Sequence, residues 1–144
     1  MFNGIIFNKG KITKIDKRNK GINLFIKSSI QLSQKNLGIS VACDGVCLTL
    51  ISYKRKNLEF YLSNETLEKS KFKFIKKNDI INLELPLKFG QNISGHICQG
   101  HVDTAGKTTS IKKIDKSYIY TFKVKKKYIN LFIEKASILI NGVS

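Results

Sequence analysis

The sequence predicts an all-β protein, built as a sandwich or a barrel. Most of the 144 residues fall into short apolar runs separated by turn residues, and many short strands favour these two architectures. An internal repeat is the second observation: residues 2–15 resemble residues 98–111, and residues 40–47 resemble residues 137–144. We therefore expect one complete unit of about 96 residues and roughly half of a second.

The hairpin around Asp44 and Gly45 is the element that the rest of the prediction depends on. Asp-Gly between two β-rich runs is the signature of a two-residue type I′ turn, and it fixes the cross-strand pairs. Side chains alternate across a strand, so the pairs sort into two faces. The apolar face holds Ile39, Val41, Cys43, Val46, Leu48 and Leu50. The other face is small and mildly polar, as expected for the wall of a ligand pocket, and holds Ser40, Ala42, Cys47 and Thr49.

The remaining elements are short strands and turns. Strands are predicted at residues 2–7, 11–15, 22–27, 58–63 and 80–85. In the fourth of these, Leu58, Phe60 and Leu62 face inward. A short helical turn is expected within residues 28–37. One or two further helical turns are expected over residues 65–70, capped by Ser63 or Asn64.

The formal net charge of +16 raises the question of nucleic-acid binding. Only two of the 26 basic residues are arginine, the residue preferred for bidentate contacts to phosphates and bases. Lysine-rich composition also follows from an A/T-rich genome. We therefore expect no nucleic-acid partner, and a basic barrel that binds RNA is kept only as an alternative.

The cysteines and the apolar runs indicate in which cellular compartment the protein is located. Three cysteines, without a C-x-x-C pair, do not suggest a disulfide framework, which favours a reducing cytoplasm. Residues 2–7 lack the basic region and cleavage site of a signal peptide. No run approaches membrane-spanning length, so no membrane association is expected.

Four motifs carry a resemblance to a known family. They are Met1-Phe2-x-Gly4-Ile5, Ser40-Val41-x-x-x-Gly45-Val46-Cys47-Leu48-Thr49, Glu65-Thr66-Leu67 and Gly95-His96-x-x-x-Gly100-His101-Val102-Asp103. In this order and spacing the chain resembles riboflavin synthase of the α-subunit type, the lumazine-binding tandem-barrel family. The resemblance implies a six-stranded antiparallel Greek-key barrel over residues 1–96. It also implies an incomplete second copy over residues 97–144, with the chain truncated within that barrel.

The same resemblance implies a reaction and an assembly. Two molecules of 6,7-dimethyl-8-ribityllumazine would be converted to riboflavin and 5-amino-6-(D-ribitylamino)uracil, the last step of riboflavin biosynthesis, with no cofactor and no metal. The family forms homotrimers in which each site lies between barrels of neighbouring subunits. Lumazine synthase is a candidate partner.

The resemblance also implies a set of site residues, carried over by position. Expected substrate contacts are Gly4, Ile5, Ile6, Cys47, Leu48, Thr49, Tyr61, Leu62, Ser63, Asn64, Glu65, Thr66, Gly100, His101, Val102, Lys135 and Ser144. Expected catalytic residues are His101, Cys47, Ser40 and Thr49. Histidine is the residue type best suited to take a proton from the ring methyl near neutral pH. Asn3 departs from the family pattern, in which threonine is usual.

Alternatives stay open at this point. One alternative is that His96 and His101 have a purely structural role. Another is a zinc site formed from Cys43, Cys47, His96, Cys98 and His101. A relative that binds lumazine or flavin without turnover, or an inactive fragment, is the alternative to an enzyme. The apolar residues of the second unit are expected to lack partners: Ile119, Phe122, Ile129, Leu131, Phe132, Ile138 and Ile140.

Overall fold

Six strands close into an antiparallel barrel in the computed structural model, which describes all 144 residues. The strands are β1 (Asn8–Arg18), β2 (Gly21–Ser28), β3 (Ser40–Cys43), β4 (Val46–Lys54), β5 (Asn57–Ser63) and β6 (Ile80–Glu84). Their order around the barrel is β1-β2-β5-β4-β3-β6, a Greek-key arrangement. The prediction of an all-β, six-stranded barrel is confirmed.

Helical structure is confined to short connections. Helix α1 (Asn64–Lys69) follows β5, and 3-10 turns occupy Gln34–Asn36, Lys71–Phe74 and Lys126–Leu131. Ser63 caps α1 by accepting a hydrogen bond from the backbone of Thr66 at 3.2 Å, as its residue type and position predicted. None of the helices is both long and apolar enough to cross a membrane.

The barrel interior is an apolar cluster of 16 buried residues. Alternation along β5 places Leu58, Phe60 and Leu62 inside with no exposed surface, while Glu59 and Tyr61 lie outside. The apolar face of the predicted hairpin joins the same cluster, with Ile39 packed at its margin. The period of two in these strands therefore determined which side chains form the core.

The β3–β4 hairpin has the predicted register, with Ser40 opposite Thr49. Asp44 and Gly45 have φ of +45° and +81°, the left-handed pair that a type I′ turn needs and that glycine adopts without strain. The Asp44 carboxylate accepts a hydrogen bond from the Asn82 backbone at 2.8 Å and pairs with Lys71 at 2.6 Å. The first contact attaches the turn to β6, and the second attaches it to the 3-10 turn Lys71–Phe74.

The predicted strand at residues 2–7 is wrong. Only Phe2 makes a bridge, to Cys98, and β1 begins at Asn8 and includes Gly10, which lies before the predicted strand at residues 11–15. The physical reason is that Gly4 has φ of +75°, which interrupts extended backbone, and its N–H binds the Glu84 side chain instead of a neighbouring strand.

Residues beyond the barrel form a second hairpin of β7 (Lys107–Ile114) and β8 (Ser117–Lys123). Its register shift matches the one between β1 and β2, and in each the bulged threonine donates to the facing strand: Thr13 to the Phe25 carbonyl and Thr109 to the Thr121 carbonyl, both at 3.2 Å. A left-handed Asn-Gly turn at residues 141–142 matches that at residues 44–45.

Apolar side chains of this second part are exposed. No residue of β7 or β8 is buried, and Tyr118, Tyr120 and Phe122 form an exposed row on one face. Of the seven residues expected to lack partners, six are exposed and Ile140 is half-buried. The core of the molecule therefore lies in the six-stranded barrel.

Replacing Phe60 by alanine is expected to destabilise the barrel by about 3–5 kcal/mol, because the ring is fully buried and its removal leaves a cavity. The matched control is Phe89→Ala, since Phe89 is fully exposed, with an expected change of about 0.5 kcal/mol or less. Urea unfolding followed by circular dichroism measures both. Equal midpoints for the two variants would contradict this account of the core.

Candidate functional site

Two short segments run side by side on the outside of the barrel. The N–H of Phe2 donates to the Cys98 carbonyl at 2.8 Å, and the N–H of Cys98 donates to the Phe2 carbonyl at 2.9 Å. The two residues occupy equivalent positions in the sequence repeat, so the bridge relates the segments by a local two-fold axis. Residues 2–6 and 98–102 are called the first and second crossing segments below.

Each crossing segment continues onto a hairpin of the other unit. The Cys47 N–H donates to the Gly100 carbonyl at 2.9 Å, and the Ser144 N–H donates to the Gly4 carbonyl at 2.9 Å. Cys47 and Ser144 are themselves equivalent in the repeat. The predicted site residues on these segments and hairpins therefore fall into two groups, one at Cys47 and one at Ser144.

The Cys47 group contains most of the expected catalytic residues. Cys47 and Ser40 are half-buried and Thr49 is exposed, all on the small polar face of the hairpin. Ala42, on the same face, is buried beneath Phe2 and Cys98. The crossing segments thus cover part of this face and leave its remainder open to a ligand.

His101 belongs to the same group. Its imidazole is exposed, while the residues on either side are attached to the barrel: Gly100 by its hydrogen bond to Cys47, and Val102 by packing against the core cluster. The backbone at His101 is therefore held against the barrel on both sides, which positions an accessible imidazole near the hairpin.

Helix α1 and its cap carry four of the expected contacts. Asn64 and Glu65 are exposed in its first turn, while the hydroxyls of Ser63 and Thr66 lie 3.1 Å apart. Lys69 lowers the pKa of Glu65 through a hydrogen bond of 2.7 Å and its charge. Glu65 in turn raises the pKa of Lys69, with smaller contributions from Tyr128 and Asp103.

Three expected contacts direct their side chains elsewhere. Leu48 and Leu62 are buried in the barrel core, so only their backbone atoms are available to a ligand. Tyr61 donates its hydroxyl proton to the Lys20 carbonyl at 2.7 Å, toward the β1–β2 turn.

The Ser144 group gathers Gly4, Ile5 and Ile6 with a histidine. His96 Nδ1 lies 2.7 Å from the Ser144 hydroxyl, and the His96 N–H donates to the Asn3 carbonyl at 3.2 Å. Residues 4–6 therefore lie beside the second hairpin, with Gly4 and Ile6 in direct contact with it. Lys135 is exposed.

Comparison with known proteins decides the family. The family model of the lumazine binding domain matches residues 3–86. A riboflavin synthase of Actinobacillus pleuropneumoniae is 34% identical over 144 residues, covering 100% of this chain and 67% of the relative. The chain belongs to the riboflavin synthase family. A riboflavin synthase of Chlamydia pneumoniae is 35% identical over 145 residues and is covered to 70%.

Solved structures agree with this family in fold. LumP in complex with riboflavin superimposes with a TM-score of 0.84 at 22% identity, covering 99% of this chain and 78% of LumP. LumP in complex with 6,7-dimethyl-8-(1′-D-ribityl) lumazine gives 0.79 at 21% identity, covering 99% and 77%. The likeness confirms the closed barrel of this riboflavin synthase family member and the path of the chain after it.

Two residues that sequence reasoning missed shape the first crossing segment. Glu84 is buried and accepts hydrogen bonds from the backbone of Asn3 at 2.7 Å and of Gly4 at 3.1 Å. The Asn3 side chain accepts from the Ile5 N–H at 3.2 Å, so the departure from threonine keeps an acceptor there. Alternation placed Glu84 on the outside of β6, and nothing in the sequence signalled that a segment covers it.

The three cysteines are unpaired and differ in environment. Burial, followed by the charges of Asp44 and Cys47, raises the pKa of Cys43 well above its usual value. Burial, followed by the charge of Glu84, raises the pKa of Cys98. Cys43 lies in the barrel core and Cys98 beneath Phe2, and no cluster of three or more histidine, cysteine or acidic residues is arranged to hold a metal ion.

Two cavities of about 360 and 340 Å³ lie away from the Cys47 group. The first is on the outer surface near the β4–β5 turn, between Lys54 and Glu59. The second lies between the first crossing segment and residues 85–91. Neither of these two cavities is lined by a residue of the Cys47 group.

Iodoacetamide is expected to modify Cys47 about tenfold or more faster than Cys43 or Cys98, because only Cys47 is half-exposed and thiolate formation is suppressed at both buried thiols. Tandem mass spectrometry of tryptic peptides separates the three sites. In urea all three are expected to react at similar rates. Modification of native Cys43 as fast as Cys47 would contradict this description.

Proposed function

We propose that this chain acts as a riboflavin synthase, binding 6,7-dimethyl-8-ribityllumazine at the Cys47 group. The reaction is the dismutation of two such molecules to riboflavin and 5-amino-6-(D-ribitylamino)uracil. The observation that carries the proposal is the hydrogen bond between Cys47 and Gly100, which brings the polar hairpin face and His101 together in a member of this family.

Residues 1–96 and 97–144 form two related units in this proposal, and the second is an incomplete copy of the first barrel. Support comes from the matched bulges at Thr13 and Thr109, the matched turns at residues 44–45 and 141–142, and the two-fold bridge between Phe2 and Cys98. In this proposal the Cys47 group combines the hairpin of the first unit with His101 of the second, and the Ser144 group combines Ser144 of the second unit with residues 4–6 and His96 of the first.

Each polar group has a distinct role at the Cys47 group. The backbone and side chains of Cys47, Thr49 and Ser40 hydrogen-bond the heterocycle, since they line the open part of the small polar face. Asn64 is exposed on the first turn of α1, where it binds ribityl hydroxyls. Glu65 is exposed beside it and binds them while paired with Lys69 at 2.7 Å. The Ser63 hydroxyl is engaged in capping the helix, so it contributes mainly by orienting that turn.

The chemistry requires a proton transfer and close alignment of two rings. One lumazine transfers a four-carbon unit to the other, and a ring methyl loses a proton before a carbon–carbon bond forms. His101 accepts that proton, because its imidazole is accessible while its backbone is held against the barrel. Holding donor and acceptor face to face lowers the entropic barrier to their reaction.

Assembly and location complete the proposal. The exposed apolar row of Tyr118, Tyr120 and Phe122 supports association with further protein surface, and a homotrimer is the proposed assembly. Lumazine synthase, whose product would be the substrate, is the proposed partner. Three unpaired cysteines are consistent with the reducing cytoplasm, and no cofactor is invoked.

A second candidate function is lumazine or flavin binding without turnover. The observation that favours it is that β7 and β8 bury none of their residues, so the second unit does not form a closed barrel in this chain. The first unit would then bind a single ligand with no facing acceptor.

One assay separates the two candidates. The chain is mixed with 6,7-dimethyl-8-ribityllumazine, and ligand fluorescence and flavin absorbance are recorded together. Binding with flavin formation supports the enzyme, and binding without flavin supports the second candidate. Absence of any fluorescence change with either lumazine or riboflavin would remove both.

His101→Ala is expected to slow deuterium exchange into the ring methyl of bound lumazine about a hundredfold, while the dissociation constant changes little, because a base acts on the transition state. Proton NMR in heavy water measures the exchange, and fluorescence titration measures binding. Asp103→Asn is the control, since it alters the same segment without removing a proton acceptor of this kind. Unchanged methyl exchange in His101→Ala would exclude His101 as the base.

A further inference from the structure

Glu84 is a carboxylate buried without a basic side chain as partner. It ends β6, is 7% exposed, and forms none of the three ion pairs of the chain. Its oxygens instead accept the backbone N–H groups of Asn3 at 2.7 Å and Gly4 at 3.1 Å. A buried carboxylate is costly unless its oxygens are hydrogen-bonded, so these two bonds couple the side chain to the first crossing segment.

The two residues that Glu84 holds are the ones that contact the Ser144 group. The Gly4 carbonyl accepts the Ser144 N–H at 2.9 Å, and the Asn3 carbonyl accepts the His96 N–H at 3.2 Å. The side chains of His96 and Ser144 then meet at 2.7 Å. Asn3 and Gly4 therefore each bind Glu84 through their N–H group and a member of the histidine–serine pair through their carbonyl group: Asn3 binds His96, and Gly4 binds Ser144.

The position of Glu84 on the sheet explains why it can reach this segment. Glu84 faces Ala42 across β6 and β3, and Ala42 faces Cys47 across β3 and β4, so the three lie in one row on the outside of the barrel. Phe2 covers the middle of that row. Glu84 binds the backbone of Asn3 and Gly4, the two residues that follow Phe2. The left-handed backbone of Gly4 then turns the chain toward Ser144.

We propose that Glu84 is a positioning residue for the Ser144 group. Its carboxylate fixes the backbone of Asn3 and Gly4 so that residues 4–6 form a wall against Ser144 and hold it beside the His96 imidazole. The inference rests on the proposed function in so far as the Ser144 group is taken to bind ligand. The effect of Glu84 on the geometry is tested without ligand.

A matched pair of variants tests the proposal in the complete chain. Glu84→Gln keeps the shape of the side chain but places an amide donor against backbone N–H groups. Glu59→Gln is the control, because Glu59 also lies on a barrel strand and accepts one hydrogen bond, from Asn23 at 2.8 Å, away from the crossing segments.

Amide hydrogen exchange and ring nitrogen shifts, both measured by NMR, report on the Ser144 group. In Glu84→Gln the N–H groups of Gly4, His96 and Ser144 are expected to exchange about tenfold or more faster, as losing a hydrogen bond to a charged acceptor implies. The His96 Nδ1 shift is expected to change with them. The Leu50 N–H in the barrel is expected to stay within about twofold, and Glu59→Gln is expected to alter none of these signals.

Each other outcome counts against the proposal. Unchanged exchange at Ser144 together with an unchanged His96 shift would overturn it. If Glu84→Gln loses barrel protection as well, Glu84→Asp is measured, since it keeps the charge with one methylene less. Loss of barrel protection in both variants would make Glu84 a residue of the fold alone and would also overturn it.

Riboflavin titration of the unaltered chain keeps the two proposals apart. No fluorescence change there would remove the proposed function, whatever the exchange data show. Riboflavin binding combined with unchanged Ser144 exchange in Glu84→Gln would retain the function and remove the positioning role. Accelerated exchange in Glu84→Gln without riboflavin binding to the unaltered chain would establish the positioning role of Glu84 and remove the proposal that the Ser144 group binds ligand.

Discussion

The outer row formed by Glu84, Ala42 and Cys47 is the constraint on which the candidate site depends. Each member holds the crossing segments in a different way: Glu84 through two backbone hydrogen bonds, Ala42 through apolar packing beneath Phe2, and Cys47 through its N–H to Gly100. The barrel would close without these contacts, since its core lies on the opposite face of the same strands. The row therefore uses the outer face of strands whose inner face forms the barrel core.

The crossing segments bring residues that are distant in the sequence to each hairpin. The second crossing segment supplies His101 to the hairpin at Cys47, while the first supplies residues 4–6 to the hairpin at Ser144. The lumazine binding domain match ends at residue 86, before the segment that carries His101. The bridge between Phe2 and Cys98 joins the two crossing segments.

The two parts of the chain differ in how their apolar side chains are used. In the barrel, alternation buries residues such as Phe60 completely, whereas the corresponding alternation in β8 leaves Tyr120 and Phe122 exposed. Exposed aromatic rows on a sheet with open edges favour association with another protein surface. The turn at residues 141–142 and Ser144 contact the first crossing segment directly.

Features governed by near neighbours in the sequence were determined by the sequence itself. The Asp44-Gly45 turn set the hairpin register, alternation in β5 set the core face, and Ser63 set the start of α1. The repeat and the family motifs named the fold and the candidate residues. Only the tertiary structure decided the path of residues 2–7, since a distant carboxylate binds their N–H groups in place of a strand. It likewise decided that residues 4–6 face Ser144 and that His96 meets a hydroxyl 48 positions away. Contacts of that kind depend on where closed strands bring separate segments together, and no local pattern encodes them.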